Sequence, residues 1–226
     1  RFVMKFQQCS GPIMAKGVED TAFYAYNRLA ALNEVGGKPE QFGIDLADFH
    51  TLNQARADHW PHTLLATSTH DTKRSEDVRL RIVALSEIPQ LWSKAILRWS
   101  KLNKKYRVEI DDHRAPSANE EYLIYQTLLG TWPLSDFRDT ERREYVDRIQ
   151  QYMVKAVKEA KVNSSWIEPN EAWEEATTSF VDKILDEETN GKFCRDLAEL
   201  AQLVARLGAI NSLAQAIIKC TAPGVP

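Results

Sequence analysis

Cysteine is scarce: the chain holds three in 226 residues. Cys9, Cys194 and Cys220 lie far apart, with no C-x-x-C and no zinc-finger spacing. A disulfide framework and a thiolate metal site are therefore excluded, and reduced, packed thiols are expected. Net charge is almost absent too, at −3, so nothing in the electrostatics draws the chain to nucleic acid or an anionic membrane. The first residues, RFVMKFQ, have neither the apolar core nor the cleavage site of a secretory signal. The phosphate loop, G-x-G-x-x-G, G-x-S-x-G and H-E-x-x-H are missing. What remains is ordinary, with 43% hydrophobic and 27% charged residues. That composition excludes a disordered tail and a membrane span, and the length suffices for a real core. An initial Arg1 and the Pro and Gly punctuation of CTAPGVP make an excerpt of a longer polypeptide the expectation.

The first part of the chain reads as mixed α and β. Arg1 to Phe6 is short, apolar and aromatic, as in a strand; Gly11 to Gly17 reads as a loop; Asp20 can cap a helix from Thr21 to about Val35, stopped by Gly36-Gly37. Asp45 starts a further helix that should run to about Asp58 before Pro61. His62 to Ser68 is β-branched and apolar, long enough for a buried strand and too short for an independent helix. From Ser75 onward the pattern becomes capped amphipathic helices at about 76–87, 90–105, 118–129, 140–161, 171–188, 192–207 and 209–218. Ser117 with Glu120 forms an S-x-x-E capping box, Asn170 precedes Glu171, and Gly130 and Gly208 sit where helices would stop. Trp92, Ala95, Ile96, Trp99 and Leu102 share one helical stripe, and Val146, Ile149, Met153, Ala156, Val157 and Ala160 another. Both are expected in the core.

Two polar clusters interrupt this pattern. In the first, Lys16, Glu19 and Asp20 crowd around Gly17; on spacing alone, a loop with an acidic helix start explains it better than a binding site does. In the second, Thr67 to Asp77 gathers His70, Asp71, Lys73 and Arg74 at the end of the expected strand. In α/β proteins that position displays catalytic side chains. Neutral imidazole and ionised carboxylate can both bond sugar hydroxyls, and a carboxylate strengthens its grip as positive charge develops at a substrate carbon. A solvated turn opening the helix at Glu76 is the plainer alternative. His59 and His62 are separated by Pro61, and Asp111-Asp112-His113 lacks calcium-loop spacing, so no metal is expected and the latter reads as a solvated loop.

The stretches FQQCSGPIMAKGVEDTAFYAYNRLAALNEVGGKPEQFG and WPHTLLATSTHDTKRSEDVRLRIVALSEIP, with the terminal IIKCTAPGVP, resemble the maltooligosyl trehalose synthase family, retaining members of the α-amylase clan. The resemblance spans about residues 2–92 and 213–226. It implies a chain that is mainly α with a few short β-strands, a partial (β/α)8 TIM barrel carrying a large helical insertion. Residues 1–75 would supply late barrel strands and the active-site segment, 76–212 the helical insertion, and 213–226 the start of the last barrel strand. Arg1 to Phe6, His62 to Ser68 and Ile217 to Thr221 would be those strands.

In that clan an Asp nucleophile, a Glu general acid/base and a second Asp share the chemistry. His70-Asp71 matches the last motif, so the resemblance makes Asp71 the transition-state stabiliser and His70 its hydroxyl-binding neighbour. Lys73, Arg74, Lys16 and Glu19 are the further substrate-binding candidates, and Phe23 and Tyr24 could stack on sugar or pack. The nucleophile and the acid would lie upstream, leaving the isolated chain inactive, because the retaining mechanism needs two carboxyl groups about 5 to 5.5 Å apart. The implied reaction is intramolecular, without cofactor: the reducing-end α-1,4 bond of a maltooligosaccharide is cleaved through a covalent glycosyl-enzyme. The released glucose then attacks through its anomeric hydroxyl, giving an α,α-1,1 link. A cytoplasmic location and a pathway partner, maltooligosyl trehalose trehalohydrolase, follow from the same resemblance. Another glucanotransferase or hydrolase of the clan, or a helical interaction module, are the competing expectations.

Overall fold

The computed structural model describes residues 1–135, 137 and 139–226, without the side chain of residue 139. The chain is mainly helical. Helix α1 (Phe2–Pro12) runs into a π-helical segment (Ile13–Ala22) and a single turn, α2 (Phe23–Ala25). After an irregular stretch come α3 (Leu46–His59), α4 (Glu76–Ala84), α5 (Pro89–Asn103), the hairpin β1 (Val108–Ile110) and β2 (His113–Ala115), and α6 (Ala118–Thr131). Three more follow: α7 (Asp139–Ala160), α8 (Glu171–Leu185) and α9 (Glu187–Thr221).

Three of the expected helix starts are chemically real. Asp45 Oδ1 accepts the Asp48 N–H at 2.7 Å, Ser117 and Glu120 close a reciprocal capping box, and Asn170 caps α8 through the Trp173 N–H. Each supplies an acceptor to an amide that has no partner within its own helix. Both predicted stripes face the core: Trp92, Ala95 and Trp99 on α5 and Val146, Ile149, Met153, Ala156 and Val157 on α7 are buried, while Ile96, Leu102 and Ala160 are half-buried at its edge. Helix α6 is enclosed almost all round, with Leu123, Ile124, Tyr125, Leu128 and Leu129 among its buried side chains. Its buried polar groups are paired, Glu121 with the Tyr125 hydroxyl at 2.6 Å and with Arg107 at 3.5 Å, as burial of charge requires.

Helix α4 packs between α6 and α9. The stop expected at Gly208 does not occur; α9 continues through it to Thr221. The glycine instead permits a close crossing, since a Cβ there would lie 2.7 Å from Arg81 Cγ and 3.0 Å from Arg81 Cα on α4. Close packing leaves no slack for such an overlap. Helix α9 is long and apolar enough to cross a membrane by length and composition alone, which the overall composition did not reveal. Its first half instead builds the core through Phe193, Leu197, Leu200, Ala201 and Val204. Its second half exposes Ile210, Leu213, Ile217 and Ile218.

Other expectations are corrected. The helix expected from Thr21 to Val35 is broken into the end of the π segment, one α-helical turn and a 3-10 turn at Ala30–Leu32. Asn33 Nδ2 donates to the Phe23 and Tyr26 carbonyls at 2.9 and 2.5 Å, Asn27 Nδ2 donates to Tyr24 O at 3.1 Å, and Gln126 brackets the segment by bonding Ala30 N–H and Asn27 O. Side chains here take the carbonyls that a helix would use. Gly11 to Gly17 is helical, not a loop. Asp111 and Asp112, with φ of 48° and 63°, form the two-residue turn of a hairpin, a geometry Asp tolerates and hairpin twist favours.

The expected strands depart furthest. Arg1 to Phe6 leads into and lies along helix α1, where no residue is buried, because a helix satisfies its amides internally while a strand needs a neighbour. Ile217 to Thr221 is the end of α9. Of His62 to Ser68, Leu64 alone makes a β-bridge, parallel to Val225. Only Cys194 is a packed thiol, with Cys9 and Cys220 exposed; burial pushes the Cys194 thiol up to about 11.

Candidate functional site

The extended segment ending at Thr67 is held on both sides. Leu65 N–H donates to Val225 O and Val225 N–H to Thr63 O, each at 2.8 Å, which is the slanted pairing of parallel strands. Gly224 lets the second segment approach: its φ is +129°, and a Cβ would stand 2.8 Å from Thr63 O and from Leu65 Cγ. On the other side, Arg79 of α4 donates to Thr67 O, and Thr67 Oγ1 donates to Glu76 Oε2 at 3.0 Å.

The chain then turns. Thr72 closes the turn by donating from Oγ1 to Thr69 O at 2.6 Å and accepting the Thr69 N–H at 3.2 Å. At its apex His70 Nε2 lies 3.1 Å from Asp71 Oδ2, with the two side chains 90% and 71% exposed. Ser75 caps α4 at the end of the turn. The carboxylate and imidazole are thus presented to solvent on a backbone fixed at both ends.

The two polar clusters, separate in sequence, meet here. Lys73 runs inward, its side chain 5% exposed, with Nζ 3.6 Å from Asp20 Oδ1 and 5.4 Å from the centre of the Tyr24 ring. Lys16 Nζ reaches the other oxygen of Asp20 at 2.5 Å. The Lys16 hydrogen bond, its charge and that of Lys73 hold the Asp20 carboxyl below the usual carboxylate range, against a smaller opposing effect of burial. Lys16 is held above its ordinary value, chiefly by Asp20, with Glu159 and Asp71 contributing through charge. Burial raises the Tyr24 hydroxyl, so the ring is packing and a cation platform for Lys73. Glu19 lies apart from this contact, accepting the Gly36 N–H at 3.0 Å.

Arg74 does not face the turn's open side. It is buried, donating to Ala30 O at 3.1 Å and to the Tyr152 hydroxyl of α7 at 2.7 Å. Along with Lys73 it lines a 310 Å³ cavity bounded by Ser75, Tyr145, Arg148 and Tyr152. Of the candidates, the structure therefore gathers Lys16 and Lys73 around Asp20, places His70 and Asp71 on the adjoining turn, and sets Glu19 and Arg74 in supporting positions.

Glu34 escaped the sequence reading. Its side chain is buried, and its carboxylate accepts Lys73 N–H at 2.6 Å, Arg74 N–H at 3.2 Å and the N–H of its own neighbour Val35 at 3.2 Å. The signal available was an acid set in the otherwise largely apolar run from Leu29 to Val35 just before Gly36-Gly37. Among the described residues, no three His, Cys, Asp or Glu side chains group as a metal site.

No family model matches the chain. Two curated relatives provisionally named maltooligosyl trehalose synthase, from two strains of Mycobacterium tuberculosis, are each 38% identical to it over 99% of its length. The chain spans 27% of the length of each. Among solved structures, maltooligosyltrehalose synthase from Arthrobacter ramosus superposes with a TM-score of 0.82 at 37% identity, covering 99% of this chain and 27% of that one. The hypothetical maltooligosyl trehalose synthase of Sulfolobus tokodaii gives 0.83 at 36% identity, covering 99% of this chain and 29% of that one.

Proposed function

We propose that the chain is a segment of an intramolecular glucosyl transferase of the maltooligosyl trehalose synthase type, in which Asp71 stabilises the transition state and His70 binds a neighbouring hydroxyl. The observation that carries this reading is the parallel pairing of Leu64 with Val225 immediately before the turn that displays His70 and Asp71. Parallel neighbours require a long crossover, here made of helices α4 to α9, and residues at the carboxyl end of such a strand are where a (β/α)8 barrel places its chemistry. In this reading Thr63–Leu65 and Val225 belong to adjacent barrel strands, residues 1–75 carry the active-site segment, and the helical unit from α4 onward is an insertion between them. Its last helix then returns the chain to the barrel at 213–226. The exposed face of α9 formed by Leu213, Ile217 and Ile218 packs, in the same reading, against barrel rather than lipid.

The substrate is a maltooligosaccharide. Lys16, exposed and fixed by Asp20, offers a charged donor to hydroxyls of the glucose that must be retained between cleavage and re-attack, while the buried Lys73 holds Asp20 from the other side. Asp71, 71% exposed beside the His70 imidazole, stands where it can face the cationic anomeric centre. A single Asp cannot attack the sugar and protonate the leaving group as well, so the nucleophile and acid must come from elsewhere in the polypeptide and this chain alone is inactive. The unpaired cysteines suit a reducing cytoplasm, and the product is of the kind a trehalohydrolase would take up.

The test is incubation of the intact polypeptide with maltopentaose. Reducing ends should disappear while the oligosaccharide keeps its mass. Shorter reducing sugars as the main product would instead identify a hydrolase or another glucanotransferase of the clan.

A further inference from the structure

We infer that Glu34 is a positioning residue for the His70-Asp71 turn, a role that rests on the assignment of Asp71 above. Glu34 belongs to an irregular segment far from the turn in sequence, yet its buried carboxylate holds two successive amides of the turn's descending limb, Lys73 N–H at 2.6 Å and Arg74 N–H at 3.2 Å. Those amides follow Asp71 by two and three residues. Asp71 itself is 71% exposed, so side-chain packing does little to fix it and the path of its backbone must. Thr72 closes the turn internally, and Arg79 and Glu76 hold its ascending limb at Thr67. Glu34 is the anchor of its descending limb. The same segment grips Arg74 through Ala30 O, and Arg74 continues to Tyr152, so the anchor is tied to α7 of the helical unit.

A carboxylate suits this task because it is acceptor-only. Its two oxygens can take both N–H groups, and charge-assisted bonds to amides are short and strong. Glutamine at the same place has one acceptor oxygen and would turn an NH2 toward the other amide, leaving one buried N–H facing a donor. Catalytic groups need support of this kind to stay within a fraction of an ångström of productive geometry.

The experiment measures kcat and KM for maltopentaose in the intact polypeptide, comparing wild type, Glu34→Gln, Asp71→Asn and the double variant. Glu34→Gln should lower kcat about tenfold, the loss expected when a charged hydrogen-bond partner is removed, with KM changed by less than about threefold. Because Glu34 acts through Asp71, the double variant should turn over no more slowly than Asp71→Asn alone. A double variant slowed by the product of the two single effects overturns the positioning role, as does Glu34→Gln turnover within about twofold of wild type. Wild-type turnover in Asp71→Asn brings down the assignment of Asp71 itself; a large loss there beside normal Glu34→Gln brings down the positioning role alone. If Glu34→Gln does not accumulate folded, Glu34→Asp, which keeps the charge but withdraws it by one methylene, carries the same expectation of non-additivity.

Discussion

Asp71→Asn in the intact polypeptide is expected to lower kcat roughly a hundredfold or more, about 3 kcal/mol, with little change in thermal midpoint. Asparagine preserves the size of the side chain and part of its hydrogen bonding, while removing the charge that, in the proposed role, would face the developing oxocarbenium ion. The structure makes a purely structural explanation for such a loss weak. Asp71 is exposed, its bonding partner His70 is still more exposed, and helix α4 is capped by Ser75 rather than by Asp71. Steady-state conversion of maltopentaose, run beside a melting curve, checks both halves. Near-wild-type turnover would sink the assignment, and a lowered midpoint with unchanged kcat would mean that the residue serves stability alone.

The largest expected effect on stability comes from Trp99→Ala, at about 3–5 kcal/mol. Trp99 is fully buried on α5. Its ring meets Trp92, Tyr125 and Phe193 at centroid distances of 5.9, 5.3 and 5.4 Å, all edge-on, an arrangement worth more than its buried area alone. Its Nε1–H also donates to Asp196 at 2.6 Å, beside the paired guanidinium of Arg98 at 2.7 Å. Alanine would leave a cavity where α5, α6 and α9 converge, in a fold whose total stability is of the order of 5–15 kcal/mol. Urea unfolding monitored by far-ultraviolet circular dichroism reads the loss directly, and a shift below about 1 kcal/mol would mean that the cluster does not organise the core.

The helical unit is legible in the sequence because its determinants are local. The Ser117–Glu120 capping box, the stripe of Trp92, Ala95 and Trp99, and the cap at Asn170 lie within a few residues of the structure they specify. The strands are not legible in the same way, since a strand is defined by its neighbour. Thr63 to Leu65 meets Val225 across the whole helical unit, and no pattern within either segment states the other's position. At Arg1 to Phe6 the apolar and aromatic run suggests a strand, yet from Phe2 on the segment coils into a helix that buries nothing. Gly208 illustrates a third case: as a sequence signal it means a helix end, and only the approach of Arg81 gives it its other meaning.

The site is legible in its parts and not in their assembly. His70 and Asp71 stand out as polar groups at an expected strand end, and Lys16 and Lys73 as cations near carboxylates. That Asp20 would join the two lysines, or that Glu34 would reach back to the amides of Lys73 and Arg74, depends on the folding of the segment from Phe23 to Gly37. There Asn27, Asn33 and Gln126 replace helix bonds with side-chain bonds. Such long-range exchanges leave no periodic trace in a sequence.

The proposed intramolecular transfer is tested most directly by converting unlabelled maltopentaose with the intact polypeptide in the presence of excess 13C-labelled glucose, and weighing the product. The glucose released from the reducing end should be held in place and rejoined before exchange, so the non-reducing product should carry the mass of the unlabelled substrate. Labelled glucose in that product, or accumulation of shorter reducing oligosaccharides, would contradict the account.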